Sequence, residues 1–116
     1  PNKEYDLKLP SKLDTIDREF VQEFKKLAKS TEENTGNFRF GQAANDLYHF
    51  FWNRFAAVYI EDAKSKLNEN KKITLLWLLA NQLKLLHPFM PFVTEEIWSK
   101  LPIKNKKMLI IESWLK

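Results

Sequence analysis

The chain has 116 residues, of which 44% are hydrophobic and 14% aromatic, so it can form one domain with a real core. It contains no cysteine, which excludes a disulfide framework and thiolate metal sites, and no stretch of about 18 uncharged apolar residues that could span a membrane. The net charge of +4 is compatible with a nucleic-acid partner but does not require one. With two glycines and five prolines, the sequence favours a few long elements over many turns.

The N-terminal part of the chain predicts a linker followed by a helix. Residues 1–10 are polar and charged, and we expect them to form a linker along the surface. A helix is predicted over residues 13–31, with Ser11 in a capping box or Asp14 as the alternative N-cap. Apolar side chains recur along this helix at intervals of three and four and predict a packed face. They are Ile16, Phe20, Phe24 and Leu27.

The opposite face of this first predicted helix is narrow and mainly basic. It carries Arg18, Gln22, Lys25 and Lys29. Such a face is either an ordinary solvated surface or a surface that contacts the backbone of a nucleic acid, and the spacing of the residues is consistent with both interpretations.

A polar turn over residues 30–37 precedes a second helix, which is predicted over residues 40–67. Its apolar residues form a stripe wide enough to pack against two neighbouring helices. They are Ala43, Ala44, Leu47, Tyr48, Phe51, Trp52, Phe55, Val58, Tyr59 and Ala63.

Residues 68–72 are interpreted as a connector, and a third helix is predicted over residues 73–86. This helix is apolar on nearly every side. Its few polar positions include Asn81 and Lys84, which lie on its less apolar side.

A corner with two prolines separates the third predicted helix from the fourth. Pro88 lacks a backbone N–H and biases His87 away from helical dihedral angles, so the third helix ends there. Pro91 suits the first turn of a new helix, which is predicted over residues 91–101. We expect the ring of His87 to form a local hydrogen bond at the end of the third helix.

Two aromatic residues near this corner, Phe92 and Trp98, are predicted to lie in the core and to hold the corner in place. Further along, residues 108–111 form a short apolar run rich in β-branched residues, which predicts extended structure. Trp114 and Leu115 are expected to dock on the helices.

The residues available for catalysis are few. His49 and His87 show no metal-ligand spacing, and Glu95 and Glu96 are adjacent, so on a helix they project about 100° apart and do not face each other. Two glycines do not make a phosphate-binding loop. We therefore expect no catalytic site, metal or cofactor in this chain. The remaining possibility is a binding function, in which cations contact phosphates while most aromatic residues lie in the core.

These elements together predict an all-α fold, an antiparallel bundle of four main helices with a short C-terminal extension. We expect one domain over residues 1–116. The chain begins at Pro1 without a methionine and ends at Lys116 just after an apolar segment, which suggests a piece of a larger protein.

Two long motifs resemble a known family. Residues 85–98 read Leu-Leu-His-Pro-Phe-Met-Pro-Phe-Val-Thr-Glu-Glu-Ile-Trp, which is similar to the signature of the anticodon-binding helical domain of valyl-tRNA synthetases. Residues 38–55, continuing through residues 59–64, resemble the long second helix of that domain. The resemblance runs in order from Leu13 to Trp114. It departs from the family at the triplet Ala-Ala-Val of residues 56–58, where valyl enzymes usually show a Cys-Asp-Trp-like triplet.

The resemblance implies that the chain holds the anticodon end of tRNA(Val). A catalytic domain of the same longer chain would use ATP with Mg²⁺ to activate valine and transfer it to the tRNA. The His-Ile-Gly-His-like and Lys-Met-Ser-Lys-Ser-like segments of that catalytic domain are absent here, so no activity is expected from this chain alone. The expected protein is a cytoplasmic monomer whose partners are tRNA and its own catalytic domain.

The residues expected to contact tRNA combine the basic face of the first helix with the polar side of the third. They are Arg18, Gln22, Lys25, Lys29, Asn81 and Lys84. Arg18 also aligns with a basic position in the Asp-Arg opening of this helix in the family.

Two alternative interpretations remain, one with a different amino acid and one with a different class of protein. The first is the same domain of an isoleucyl- or leucyl-tRNA synthetase, since those enzymes carry looser versions of the same motifs. The second is a free-standing helical interaction module that does not bind RNA.

Overall fold

The computed structural model describes residue 5 and residues 8–104, and within them the fold is all-α, as predicted. The helices are α1 (Thr15–Gly36), α2 (Phe40–His49), a π-helical segment (Phe50–Tyr59), α3 (Ile60–Ser65), α4 (Glu69–Leu86) and α5 (Pro91–Ser99). Because α2, the π-helical segment and α3 follow one another without a break, residues 40–65 form one rod, here called the second rod. The predicted four main helices are therefore confirmed. The apolar run 108–111, with Trp114 and Leu115, lies outside the described residues.

The first helix, α1, begins at the second of its two predicted caps. The carboxylate of Asp14 accepts a hydrogen bond from the backbone N–H of Asp17 at 2.8 Å. The predicted end at Thr31 is wrong, because the Thr31 hydroxyl donates to the carbonyl of Leu27 and the helix continues to Gly36. The predicted packed face is confirmed at its centre, where the phenyl rings of α1 are buried.

The π-helical segment sets the register of the second rod. Buried residues lie at positions 43, 47, 50, 55, 59 and 63, and the interval of five between Phe50 and Phe55 matches the i→i+5 hydrogen bonding of a π-helix. The rod therefore buries one narrow face. The prediction of a wide packed stripe is wrong at Tyr48, Trp52 and Val58, whose side chains are exposed.

The central helix, α4, starts earlier than predicted. The side chain of Asn68 accepts a hydrogen bond from the N–H of Lys71 at 2.8 Å, so the predicted connector supplies the first turn of the helix. None of the described helices is long and apolar enough to cross a membrane. Part of the predicted N-terminal linker is tied down: the N–H of Tyr5 donates to the carbonyl of Pro102 at 2.8 Å, and the N–H of Lys104 donates to the carbonyl of Tyr5 at 2.9 Å.

The double-proline corner lies where predicted, since α4 ends at Leu86 and Pro91 opens α5. The predicted bias of His87 away from helical dihedral angles is wrong, because this residue has φ −53° and ψ −45° and the chain turns only after it. The ring of His87 lies 3.0 Å from the hydroxyl of Thr94, which confirms the local hydrogen bond expected of this histidine. Trp98 is buried, with 1% of its surface exposed, whereas Phe92 is 89% exposed, so its predicted core position is wrong. The two residues are six positions apart, which places them about 120° apart around a helix axis. Because α5 packs on one side only, that side buries Trp98 and leaves Phe92 at the surface.

A buried charged network joins α1, the second rod and α4. The ammonium group of Lys71, which is 2% exposed, donates to the carboxylates of Asp17 and Asp14, and the Asp62 carboxylate lies 3.6 Å away. The hydroxyl of Tyr59 donates to Asp17 at 2.7 Å, and the Lys71 ammonium lies 5.2 Å from the centre of the Tyr59 ring. A buried charge of this kind requires partners with good geometry.

The network fixes the protonation states of Lys71 and Tyr59. Burial by itself would lower the pKa of Lys71, but the hydrogen bonds to Asp17 and Asp14 outweigh burial and raise that pKa above its ordinary value. Burial, and then the hydrogen bond to Asp17, raise the pKa of the Tyr59 hydroxyl. The hydrogen bond from the backbone of Asp17 lowers the pKa of Asp14. At neutral pH, Lys71 is therefore charged and Tyr59 is neutral.

Replacing Lys71 by methionine should reduce the free energy of unfolding by about 3–5 kcal/mol, because the buried Asp17 carboxylate would lose its counter-charge. Urea unfolding followed by circular dichroism measures the change. The matched control is Lys72→Met at the next, exposed position, which should change stability by less than about 0.5 kcal/mol. If the Lys71→Met variant unfolds at the same urea concentration as the unchanged chain, the network does not hold the bundle together.

The contrast between Trp98 and Phe92 can be tested in the same assay. Trp98→Ala removes a fully buried ring and should reduce the free energy of unfolding by about 3–5 kcal/mol. Phe92→Ala removes a ring that is almost fully exposed and should have an effect of less than about 0.5 kcal/mol. Equal effects of the two substitutions would contradict the placement of α5.

Candidate nucleic-acid interface

The basic face predicted on α1 lies at the surface. Arg18, Gln22, Lys25 and Lys29 are all exposed, on the side of the helix opposite its buried phenyl rings. The guanidinium of Arg18 donates to the carbonyl of Leu13 at 3.2 Å, which holds the side chain against the N-terminal end of the helix. The face is therefore available to an anionic partner.

One carboxylate of α1 is already neutralised by the second rod. Glu23 is half-buried and accepts two hydrogen bonds, each of 2.9 Å, from the guanidinium of Arg54. These hydrogen bonds raise the pKa of Arg54 above its ordinary value. The same guanidinium lies 4.8 Å from the centre of the Phe20 ring. This ion pair joins two helices and reduces the repulsion that Glu23 would exert on an approaching phosphate.

The two predicted residues on α4 are in a different environment from those on α1. Asn81 is half-buried, and its amide donates to the carbonyl of Trp77 at 2.8 Å. Lys84 is also half-buried, with its ammonium 5.8 Å from the centre of the Trp98 ring. These contacts hold both side chains against the bundle.

A cleft of about 940 Å³ brings together one lysine from each group of predicted residues. It lies between the last turns of α1 and the double-proline corner, and both Lys29 and Lys84 line it. The other lining residues are Ala28, Thr31, Glu32, Thr35, Gly36, Phe40, Leu85, Pro88 and Phe89. Glu32 is the only acid among the described residues that line the cleft. Arg18, Gln22, Lys25 and Asn81 lie outside the lining.

Two exposed phenyl rings lie at the same end of the bundle. Phe38 is 80% exposed and Phe40 is 48% exposed, and their rings meet edge to face with centroids 6.0 Å apart. Phe40 also lines the cleft. Neither ring is among the predicted site residues, because the sequence predicts that most aromatic residues lie in the core.

Phe38 has an unusual backbone conformation. Its φ is 63°, in the left-handed region, and it follows Asn37, the C-cap of α1. The N–H of Phe38 donates to the carbonyl of Thr35 at 3.1 Å, and the N–H of Arg39 donates to the carbonyl of Asn34 at 2.7 Å. This pair of hydrogen bonds is the Schellman motif, in which glycine usually occupies the left-handed position. Here a bulky aromatic residue occupies it.

A signal for this pair was present in the sequence. The segment from Asn37 to Arg39 is too short to fold back on the bundle, so an aromatic residue within it has few neighbours to pack against. The side chain of Arg39 is held by Asn34, to whose Oδ1 it donates at 3.0 Å. The left-handed conformation was not predictable, because Gly36, the expected position for it, lies inside α1.

Comparison with known proteins gives a consistent result. A family model described as the anticodon-binding domain of tRNA ligase matches residues 17–116. The valine–tRNA ligase of Fervidobacterium nodosum is 38% identical over 111 residues, which cover 92% of this chain and 13% of that protein. The valine–tRNA ligase of Buchnera aphidicola is 44% identical over 98 residues, covering 78% of this chain and 10% of that protein.

A third valine–tRNA ligase, from Oceanobacillus iheyensis, is 40% identical over 112 residues, which cover 90% of this chain and 13% of that protein. The chain thus spans only about a tenth of the length of these curated relatives. The family match over residues 17–116 includes both the basic face of α1 and the residues that line the cleft.

The conformation of Phe38 predicts that Phe38→Gly increases the free energy of unfolding by up to about 1.5 kcal/mol. Glycine relieves a left-handed strain of about 1–2 kcal/mol and loses about 0.5–1 kcal/mol in backbone entropy. The control is Asn37→Gly, where φ is −101° and no strain is relieved, so stability should fall. Thermal unfolding measures both variants. A marked loss of stability in Phe38→Gly would show that the ring itself holds the turn.

Proposed function

Since the chain belongs to the family of anticodon-binding domains of tRNA ligases, we propose that it holds the anticodon end of tRNA(Val) within a valine–tRNA ligase. The observation that supports this most directly is the family match over residues 17–116. Its α1 portion carries the exposed basic face. The curated relatives named above are valine–tRNA ligases, which favours valine over isoleucine or leucine.

The binding chemistry in this proposal is mainly electrostatic. Arg18, Lys25 and Lys29 extend over about 16 Å of α1, since each helical residue rises about 1.5 Å. A row of cations of that length can contact several phosphates along one strand. Gln22 adds a hydrogen-bonding amide between the cations. Such contacts position the RNA, whereas unpaired bases supply specificity.

The two residues of α4 have a smaller part in this proposal. Lys84 lines the cleft together with Lys29 and would contact RNA that enters the cleft. The Asn81 amide is engaged with the backbone of its own helix, so Asn81 would contribute through its remaining acceptor. Holding the anticodon end fixes the orientation of the tRNA, so that its acceptor end reaches a distant active site.

The activation of valine would take place elsewhere in a longer protein. The described residues include no group of three or more His, Cys, Asp or Glu side chains placed to hold a metal ion. We assign the binding of ATP with Mg²⁺ to another part of the ligase. In this proposal the protein works as a monomer in the cytoplasm, and its catalytic domain is the second partner of this chain.

The test compares the unchanged 116-residue chain with a double variant that carries both Arg18→Ala and Lys25→Ala. An RNA stem-loop with the sequence of the tRNA(Val) anticodon arm is titrated at several salt concentrations. Each lost phosphate contact should reduce the slope of log affinity against log salt by about 0.7. The matched control is a double variant that carries both Lys64→Ala and Lys100→Ala. It removes the same charge from exposed positions outside α1 and should leave the slope unchanged.

Two results would contradict the proposal. If the unchanged chain does not bind the stem-loop at low salt, the anticodon function is wrong, and a helical module without RNA becomes the better interpretation. If the two double variants reduce the slope equally, binding depends on net charge alone and the α1 face has no special part in it.

A further inference from the structure

We infer that Phe38 and Phe40 form a stacking site for one unpaired base of the anticodon loop, with Lys29 and Lys84 contacting the neighbouring phosphates. This inference rests on the proposed function, and it adds residues and a mode of recognition that the family match does not supply. Four features support it: the exposure of the two rings, the strained backbone at Phe38, the hydrogen-bonded turn and the charge of the adjacent cleft.

The Phe38 ring contributes little to the stability of the fold. With 80% of its surface exposed, it gains only a small part of the free energy that a buried phenyl ring provides. Its contact with Phe40 is edge to face, at 6.0 Å between centroids, so the pair covers one face of one ring and leaves at least one face of each ring uncovered by the other. Nucleic-acid bases are flat and stack on exposed aromatic side chains of this kind.

The backbone at Phe38 is destabilising for a residue other than glycine. A φ of 63° brings the Cβ atom close to the following carbonyl, at a cost of about 1–2 kcal/mol. Strained positions of this kind cluster at binding sites, where the conformation aims a side chain. Here the strain directs a large ring away from the bundle, although glycine would serve the helix end better. The residue therefore serves something other than the turn.

The turn that carries the ring is rigid before any ligand binds. Arg39 is attached to Asn34 twice, through its backbone N–H at 2.7 Å and through its Nε at 3.0 Å. Asn34 is itself buried, so both hydrogen bonds are anchored in the bundle. Because the turn is already ordered, binding a base loses less conformational entropy there than at a flexible loop.

The charge of the adjacent cleft favours RNA as the occupant. Lys29 on α1 and Lys84 on α4 line the cleft from two different helices. Phe40 lines the same cleft, and its ring also contacts that of Phe38. Cations beside exposed aromatic rings match the alternation of phosphate and base along a single strand. Glu32 offers an acceptor for a base amino group in the same cleft. An acidic protein segment would satisfy the lysines but would leave the two rings without a flat partner.

The experiment uses the 116-residue chain and the anticodon stem-loop of tRNA(Val), with 2-aminopurine placed in turn at each unpaired loop position. In the unchanged chain we expect a change of fluorescence on binding at one position. Phe38→Gly and Phe40→Leu should abolish this change and weaken binding at least about five-fold, the low end for loss of base–aromatic stacking. The slope of log affinity against log salt should be unchanged in both variants, since neither removes a phosphate contact.

The lysines provide the complementary readout. A double variant that carries both Lys29→Gln and Lys84→Gln should reduce the slope of log affinity against log salt by up to about 0.7 per lost contact. At saturating protein it should still show the change of fluorescence. A control matches the aromatic variants: Tyr48→Leu removes a ring about as exposed as that of Phe40, but on another part of the second rod. This variant should bind the stem-loop as the unchanged chain does.

The outcomes separate this inference from the proposed function. If the unchanged chain binds the stem-loop and the α1 variants weaken binding, but Phe38→Gly and Phe40→Leu bind normally, the stacking site is wrong and the anticodon function stands. The same conclusion follows if Tyr48→Leu weakens binding as much as they do. If the unchanged chain does not bind RNA at all, both the anticodon function and the stacking site are wrong.

Discussion

The ammonium group of Lys71 is the point on which the packing of the bundle depends. It lies in the interior, and its partners come from two other elements: Asp14 and Asp17 from the start of α1, and Asp62 from α3. A buried pair contributes little net stability by itself, since desolvation offsets the attraction. A different pairing of the helices that kept Lys71 buried but away from these carboxylates would, however, leave a charge without its partner. The network therefore determines which helix ends meet, and Tyr59 adds a hydrogen bond from the second rod.

The other half of the bundle depends on apolar packing instead. α4 continues from the charged network to the double-proline corner, where α5 turns back against it. Trp98 packs with Leu76, Leu83 and Ile103 in a cluster separate from the one between α1 and the second rod. The corner is held by the His87–Thr94 hydrogen bond, which satisfies two buried polar groups at the point where Pro88 interrupts the backbone ladder. Thus α4 takes part in the charged network near its start and in the apolar cluster around Trp98 further along.

These two junctions leave the candidate binding features on the outside, where they can act without disturbing the core. The cations of α1 follow from the amphipathic pattern, because the face opposite a packed stripe must be solvated. The cleft has a different origin. It forms where the last turns of α1 run past the corner, so Lys29 and Lys84 meet across it although they are far apart in sequence. The exposed ring of Phe38 is present despite a local backbone strain, which distinguishes it from residues selected for stability alone.

The sequence by itself determined the class of fold, the four helical rods, the double-proline corner, the packed face of α1 around Phe20 and the burial of Trp98. These features follow from local rules, namely helical periodicity and the backbone limits of proline. Only the tertiary structure decided that Phe92 is exposed, that Lys71 is buried and that Phe38 occupies the left-handed position. The register of the second rod was likewise undecided, since a π-helical segment shifts every later side chain around the axis. The exposure of Phe92 and the burial of Lys71 depend on which neighbouring helix packs against a given face, and residue spacing along one helix carries no information about that. The conformation of Phe38 depends on the end of α1, which lies at Gly36 and not at the predicted Thr31.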